Sequence, residues 1–214
     1  HTGEITSVMW SPDGTKIATS SKDKTSILWS AATGEKLFTL QQTAKINGVM
    51  WSPDGTKVLT ISSGFENGAV LWSAATGERL RVFDYAFEVF AADWSPDGTK
   101  IALGSINKPI FIWSVATENE LFSLTDITFI PQAVKWSPDG KSIAAVSRFD
   151  GTIDVCSGTN GIKLCTLIDK GWSIDWSSDG TKILTSVSIC SAETGQNLTF
   201  LGGHDGQVDN LRWS

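Results

Sequence analysis

The stretch WSPDGTKIA, residues 10–18, decides the fold of this chain because the sequence keeps returning to it. It recurs as WSPDGTKVL at 51–59, WSPDGTKIA at 94–102, WSPDGKSIA at 136–144 and WSSDGTKIL at 176–184, and Trp213-Ser214 opens a further copy. The copies begin roughly forty residues apart, a period typical of proteins built from repeated structural units. The sequence therefore predicts five similar units and the start of a sixth.

Each repeat is predicted to form four short antiparallel strands. In the first repeat, residues 4–10 and 16–21 have strand character, and Ser11-Pro12-Asp13-Gly14 between them has the residue types of a tight turn. Two more strand-like segments, TSILWS and KLFTL, follow after turn residues. Four-stranded sheets repeated in this way are the blades of a β-propeller, and stacking of each blade on its neighbours stabilises them.

The predicted fold class is therefore all-β, a β-propeller of four-stranded antiparallel blades in a single partial domain over residues 1–214. The blades are expected at about 1–43, 44–86, 87–127, 128–168 and 169–203, with the inner strand of a sixth at 204–214. The fifth blade is short between Trp176 and Cys190, so either its hairpin is tight or a stretch is missing. Because a lone inner strand leaves an unpaired edge, we expect the chain to be part of a longer protein.

Composition excludes several classes of function. The hydrophobic fraction of 41% and the ten tryptophans provide a substantial core. The net charge of −6 argues against nucleic acid as the main partner, and no apolar run is long enough to span a membrane. The two histidines lack metal-ligand spacing, and the turn aspartates each have a lysine nearby, which indicates a solvated rim. We therefore expect no metal, no cofactor and no catalytic residues.

The three cysteines stand where other repeats have apolar residues. Cys156 and Cys190 take the position of Trp29, and Cys165 takes the position of Phe38. Cysteines in such positions are expected to be buried free thiols, which favours a reducing compartment. The expected location is the cytoplasm, with the nucleus as the alternative.

The repeats resemble those of the WD-repeat propellers. The resemblance rests on Gly203-His204, on the SPDG turns, on the closing Trp-Ser at 29–30, 72–73 and 113–114, and on ATGE. Propellers of the Tol type and relatives of prolyl oligopeptidase also carry WSPDG, but ILWSAATGE at 27–35 favours the WD type. The resemblance covers the whole chain and implies a larger ring, of seven blades in the commonest form of the family.

In this family a histidine, a strand hydroxyl, a turn aspartate and the third-strand tryptophan form a buried hydrogen-bonded set. The matching positions here are His1, Thr19, Asp23 and Trp29. The resemblance implies a structural role for this set, although a His–Asp–hydroxyl trio also occurs in hydrolases.

A charge pattern precedes the inner-strand tryptophans. The residue before each tryptophan is Met9 and Met50 in the first two repeats, and then Asp93, Lys135, Asp175 and Arg212. Inner strands of neighbouring blades lie close together, so this alternation predicts a ladder of ion pairs between blades. The alternative is a polar channel that binds a small ligand.

The family mostly serves as interaction platforms, so the resemblance implies a non-catalytic scaffold within a larger protein or complex. A protein or peptide is expected on the face formed by the loops before each inner strand and between the second and third strands. The candidate contact residues are Lys22, Phe65, Glu66, Tyr85, Phe87, Arg148, Phe149 and Trp172. The alternative function is a ligand-sensing or regulatory propeller domain of a larger enzyme or signalling ATPase.

Overall fold

The described residues form an all-β structure of five four-stranded antiparallel sheets, which confirms the predicted fold class. The computed structural model describes residues 1–63, 68–83, 88–106, 108–167, 171–201 and 211–213. No helix in these ranges is long and apolar enough to cross a membrane. The chain divides into two compact units, His1–Phe90 and Ala91–Ser214.

The first unit contains two complete sheets, and in each of them the strands lie side by side in chain order. Their strands are β1 (Ile5–Trp10), β2 (Lys16–Ser21), β3 (Thr25–Ser30) and β4 (Lys36–Gln41), then β5 (Ile46–Trp51), β6 (Lys57–Ser62), β7 (Ala69–Ser73) and β8 (Arg79–Phe83).

The other three sheets have the same meander, and only β9 crosses the boundary into the second unit. The third sheet consists of β9 (Val89–Trp94), β10 (Lys100–Ser105), β11 (Ile110–Ser114) and β12 (Glu120–Leu124). The fourth and fifth consist of β13 (Pro131–Trp136), β14 (Ser142–Ser147), β15 (Ile153–Ser157), β16 (Lys163–Thr166), β17 (Ile174–Trp176), β18 (Lys182–Thr185), β19 (Ser188–Ser191) and β20 (Asn197–Phe200). Each of the five sheets lies within the bounds predicted for one blade.

The SPDG turns, and the SSDG turn at 177–180 in the fifth sheet, join the first strand of each sheet to the second, as predicted. In the first sheet the Ser11 hydroxyl donates to the Asp13 carboxylate at 2.6 Å, and the Gly14 amide donates to the Ser11 carbonyl at 2.9 Å. Gly14 has a φ of 69°, the left-handed conformation that favours glycine. Equivalent bonds form in the other four turns. The same local chemistry therefore fixes the same hairpin five times.

The inner-strand tryptophans pack between neighbouring sheets within each unit. In the first unit, Trp51 is 6% exposed, and its indole N–H donates to the Met9 carbonyl at 3.2 Å. In the second unit, the Trp176 indole donates to the Lys135 carbonyl in the same way, at 3.3 Å. Trp10 of the first sheet is 59% exposed. The burial of Trp51, compared with the exposure of Trp10, thus depends on the presence of a preceding sheet.

The hairpin of the fifth sheet is tight. The Thr185 hydroxyl accepts hydrogen bonds from the amides of Val187 and Ser188, at 3.3 and 3.0 Å, and lies 3.1 Å from the Ser188 carbonyl. These bonds close the turn between β18 and β19 with a connection of two residues. The residues present between Trp176 and Cys190 thus suffice to form a hairpin.

The cysteines are free thiols, as expected. Cys156 and Cys190 are buried, and Cys165 is half-buried. Burial, with the nearby charge of Asp154, raises the pKa of the Cys156 thiol to about 12. Such a thiol stays protonated and serves as an apolar core residue.

Candidate functional site

The structure brings His1, Thr19, Asp23 and Trp29 together in one hydrogen-bonded chain. The Trp29 indole N–H donates to the Thr19 hydroxyl at 2.8 Å, and that hydroxyl lies 2.7 Å from His1 Nε2. On the other side of the ring, His1 Nδ1 lies 3.0 Å from the Asp23 carboxylate. This network assigns the proton to Nδ1, so that Nε2 accepts from the Thr19 hydroxyl.

These four residues, which we call the His1 clasp, include two buried titratable side chains. The side chains of His1 and Asp23 are 4% and 9% exposed. Burial of Asp23 opposes its ionisation, but hydrogen bonds from the Thr25 hydroxyl and from backbone amides outweigh it and lower the pKa of the carboxyl to about 2. All four polar groups are thus occupied in holding the β2–β3 turn against the chain start.

The carboxylates of the predicted charge ladder bind backbone amides as well as lysine. Asp93 accepts a hydrogen bond of 2.7 Å from the Trp136 backbone N–H of the next sheet. Asp175 accepts one of the same length from the Trp213 backbone N–H. The predicted ion pair between Lys135 and Asp175 is also present, at 3.0 Å.

The two carboxylates differ in their ionisation. A part of Asp93 stays accessible to solvent, but enough protein surrounds the carboxyl that burial raises its pKa to about 7, against the bond from the Trp136 amide and the charge of Lys135. Burial also opposes ionisation of Asp175, but the bonds from the Trp213 amide and Lys135 outweigh it and lower its pKa.

The ion-pair ladder is therefore shorter than the sequence pattern predicted. Arg212 is exposed and forms no ion pair with the described residues, and the nearest polar partner of Asp93 is a backbone amide. The acidic groups act as acceptors for the next strand, which the alternation of charges alone did not reveal.

In the second unit, three of the predicted contact residues lie on adjoining loops. The Arg148 amide donates to the Ile130 carbonyl at 2.9 Å, which joins the β14–β15 turn to the segment before β13. The Gly171 amide donates to the Gly151 carbonyl at 2.9 Å, which joins the same turn to the segment that carries Trp172. Arg148, Phe149 and Trp172 thus lie on adjoining loops, and we call this region the Phe149 surface.

Phe149 is the most exposed apolar side chain of this surface. It is 72% exposed, while Trp172 is half-buried. The turn that presents it is held by Asp150, which accepts from the Thr152 amide at 3.2 Å and from the Thr152 hydroxyl at 2.7 Å. An exposed aromatic ring on a firmly bonded turn is typical of a protein contact site.

A depression of about 290 Å³ lies beside this turn, at Ile130. Its walls come from the β10–β11 connection and from the segment before β13, namely Lys108, Pro109, Ile127, Thr128, Phe129 and Ile130. Sequence reasoning missed this depression. The apolar run Phe129-Ile130-Pro131 just before an inner strand was the available signal.

The remaining contact candidates are placed as follows. Lys22, in the first unit, is exposed and forms an ion pair of 2.7 Å with Glu4. Phe65, Glu66, Tyr85 and Phe87 lie outside the described residues.

Metal-ligating side chains form no cluster in the described part of the chain. No group of three or more His, Cys, Asp or Glu side chains there is placed to hold a metal ion. The turn aspartates are occupied locally: hydrogen bonds from the Ser11 hydroxyl and from Thr15 lower the pKa of Asp13 to about 2. Asp179 has the same arrangement with Ser177 and Thr181.

Five four-stranded sheets with a shared turn chemistry, one of them with a His–Asp–Thr–Trp clasp, define a protein made of β-propeller-like blades. Residues 1–30 match the family model of the WD domain, G-beta repeat, and this supports the resemblance of the chain to WD-repeat proteins. The matched segment contains the whole clasp. No curated protein matches the chain.

Proposed function

We propose that this protein is a non-catalytic scaffold that binds a protein or peptide partner, with Phe149 at the centre of the contact. A WD-type repeat with propeller-like blades is a protein-interaction kind of domain. The observation that carries the proposal is the exposure of Phe149, at 72%, on a turn bonded to both neighbouring segments. Aromatic and arginine side chains dominate the binding energy of protein interfaces, and Arg148 and Trp172 lie on the same turn and on the adjoining loop.

The proposal also concerns the setting of the protein. We also propose that it belongs to a multiprotein complex in the cytoplasm. The three free thiols support a reducing compartment. Cell fractionation that recovered the protein only from an oxidising compartment would contradict this location.

The contact is tested by cross-linking in cell extract with the Phe149→Ser variant. Partners that cross-link to the wild-type protein should be lost, because truncation removes the central apolar contact. The matched control is Phe200→Ser, since Phe200 is 71% exposed but lies on the outer strand β20. Equal loss of partners in both variants, or loss in neither, would count against this surface.

A further inference from the structure

We propose that strand β20 (Asn197–Phe200) pairs antiparallel with β20 of a second copy of this protein, with Phe200 of one copy opposite Phe200 of the other. β20 is the fourth, outer strand of the fifth sheet, and among the described strands it pairs with β19 alone. Within the described residues its other edge is therefore open to a further strand. The contact is separate from the Phe149 surface, and the inference does not depend on the proposed function.

Three apolar side chains lie exposed at this edge. Phe200 is 71% exposed, Leu198 is 54% exposed and Leu201, directly after the strand, is 38% exposed. Phe200 stands where the pairing of the other four sheets places a smaller residue, namely Thr39, Val82, Ser123 or Thr166. A contiguous apolar patch that the sheet itself does not bury is typical of a contact surface.

The outer strand of the fifth sheet also lacks charge. β20 carries no charged residue, whereas each of the other outer strands carries at least one. They are Lys36 in β4, Arg79 and Arg81 in β8, Glu120 in β12 and Lys163 in β16. Charged side chains on an edge strand oppose its pairing with another chain. Of the five outer strands, β20 is thus the one whose sequence favours such pairing.

The backbone of Phe200 is oriented for this pairing. The Leu201 amide donates to the Val187 carbonyl at 2.7 Å, so it points into its own sheet. In a trans peptide the C=O points opposite to the N–H, so the Phe200 carbonyl, in the same peptide unit, points out of the edge. Backbone groups of successive strand residues alternate in direction, so the Phe200 amide points outward as well. Phe200 therefore offers both a donor and an acceptor at the open edge.

A second copy satisfies both groups at once. Around a two-fold axis at Phe200, the amide of each Phe200 donates to the carbonyl of the other, and the two rings become a cross-strand aromatic pair. Thr199 of each copy then lies opposite Leu201 of the other and covers part of its apolar surface. Because such a contact uses the same edge of both copies, it closes at two. A contact of one short strand is small, so we expect a weak, transient dimer.

Sedimentation equilibrium of the full chain tests the association. It should show monomer and dimer, without larger species, as the concentration is raised to about 1 mM. Phe200→Lys should weaken the dimer at least about tenfold, because it removes the aromatic pair and places two like charges opposite each other. The matched control is Thr39→Lys, an exposed position at the same place in β4, which should leave the dimer unchanged.

Disulfide cross-linking tests the register and keeps Phe200 in place. Directly opposite residues of a non-hydrogen-bonded pair lie about 4.5 Å apart at Cα, within reach of a disulfide. A mixture of the Thr199→Cys and Leu201→Cys variants should therefore form a linked dimer under mild oxidation. Neither variant should do so alone, because its own cysteines are diagonal neighbours, about 7–8 Å apart. The wild-type protein with its three native thiols gives the background.

Four outcomes would overturn the inference: a monomer at every concentration, larger oligomers, a dimer that persists in Phe200→Lys, and cross-links that form equally in the single cysteine variants. An edge that binds a different protein gives the first outcome, together with loss of that protein in Phe200→Ser. In the cross-linking test of the Phe149 surface, Phe200→Ser should lose only the link between two copies, whereas Phe149→Ser should lose the other partners. The two proposals can therefore fail independently.

Discussion

At the scale of single residues, buried polar groups in this protein hold backbone in place. The His1 clasp secures a turn, and Asp93 and Asp175 secure the strand of the next sheet through its amide. Resemblance to a repeat family predicted the members of the clasp by spacing. The role of the aspartates depends on where their oxygens point, which no pattern of charges specifies.

Thr19→Val should destabilise the protein by about 1–3 kcal/mol, because it leaves the Trp29 N–H and His1 Nε2 without their shared partner. Urea unfolding measures this loss. The control is Thr60→Val in the second sheet, where the hydroxyl accepts from the Trp72 indole at 2.8 Å. In this repeat Gln42 stands at the position that His1 has in the first repeat. Equal losses in the two variants would show that the histidine adds nothing.

Asp93 should make the protein less stable as the pH rises from about 4 to about 7. In the unfolded chain this carboxyl loses its proton near 3.8, whereas in the folded chain burial keeps it protonated to about 7. Between these values the folded state binds more protons, so the free energy of unfolding falls as the pH rises. The turn aspartates, with lowered pKa values, act in the opposite direction and only below about pH 4.

Asp93→Asn should flatten the stability profile above pH 4, because an amide oxygen still accepts from the Trp136 N–H but does not ionise. Chemical denaturation at a series of pH values measures this. Asp175→Asn is the control: its pKa is lowered, so loss of its charge should reduce stability at neutral pH. Parallel profiles for wild type and Asp93→Asn would refute the assignment.

At the scale of elements, the same four-stranded sheet forms five times because turn chemistry and apolar alternation agree in every repeat. A register shift recurs at one place, just before the third-strand tryptophan or cysteine, in all five sheets. The sheets could therefore be predicted from sequence, with their order and approximate bounds. The depression at Phe129 could not, because it arises where two loops of different chain position meet.

Replacing glycine by alanine in the turn between the third and fourth strands should destabilise the protein by different amounts in different sheets, although the backbones of these glycines are alike. Gly34 and Gly195 have φ values of 71° and 73°. A Cβ on Gly34 would meet nothing within 4 Å, whereas one on Gly195 would lie 2.6 Å from the Thr166 carbonyl of the preceding sheet.

Gly34→Ala should therefore cost about 1 kcal/mol from the left-handed backbone alone. Gly195→Ala should cost about 2 kcal/mol more, because backbone must move to relieve the contact. Thermal unfolding of the two variants gives the comparison, and similar melting temperatures would contradict it.

At the scale of the whole molecule, stability comes from sheets that cover one another within each unit. The apolar cluster of the first unit joins Leu28 and Leu40 of one sheet to Trp51 and Trp72 of the other. The repeat period predicted such stacking. The exposure of Val8 and Trp10 on the first sheet, 60% and 59%, follows from the sheet having no described neighbour on that face.

Trp51→Ala should lower the free energy of unfolding by about 3–5 kcal/mol, because a buried indole leaves a cavity. Trp10→Ala removes the same side chain from the equivalent strand position, but should cost only about 1 kcal/mol because more than half of it already contacts water. Guanidinium unfolding separates the two. A large loss for Trp10→Ala would mean that this face is covered in solution.

The bond from a carboxylate to the amide of the following tryptophan has a consequence for how such repeats diversify. Every residue except proline has a main-chain N–H. Asp93 and Asp175 can therefore accept a hydrogen bond from the next repeat whatever side chain stands at that position. This one bond therefore needs no matching side chain in the neighbouring repeat, unlike the apolar packing between the sheets. Substitutions in the loops of adjoining repeats leave both partners of this bond unchanged, so it can hold the strands in register while the loops vary.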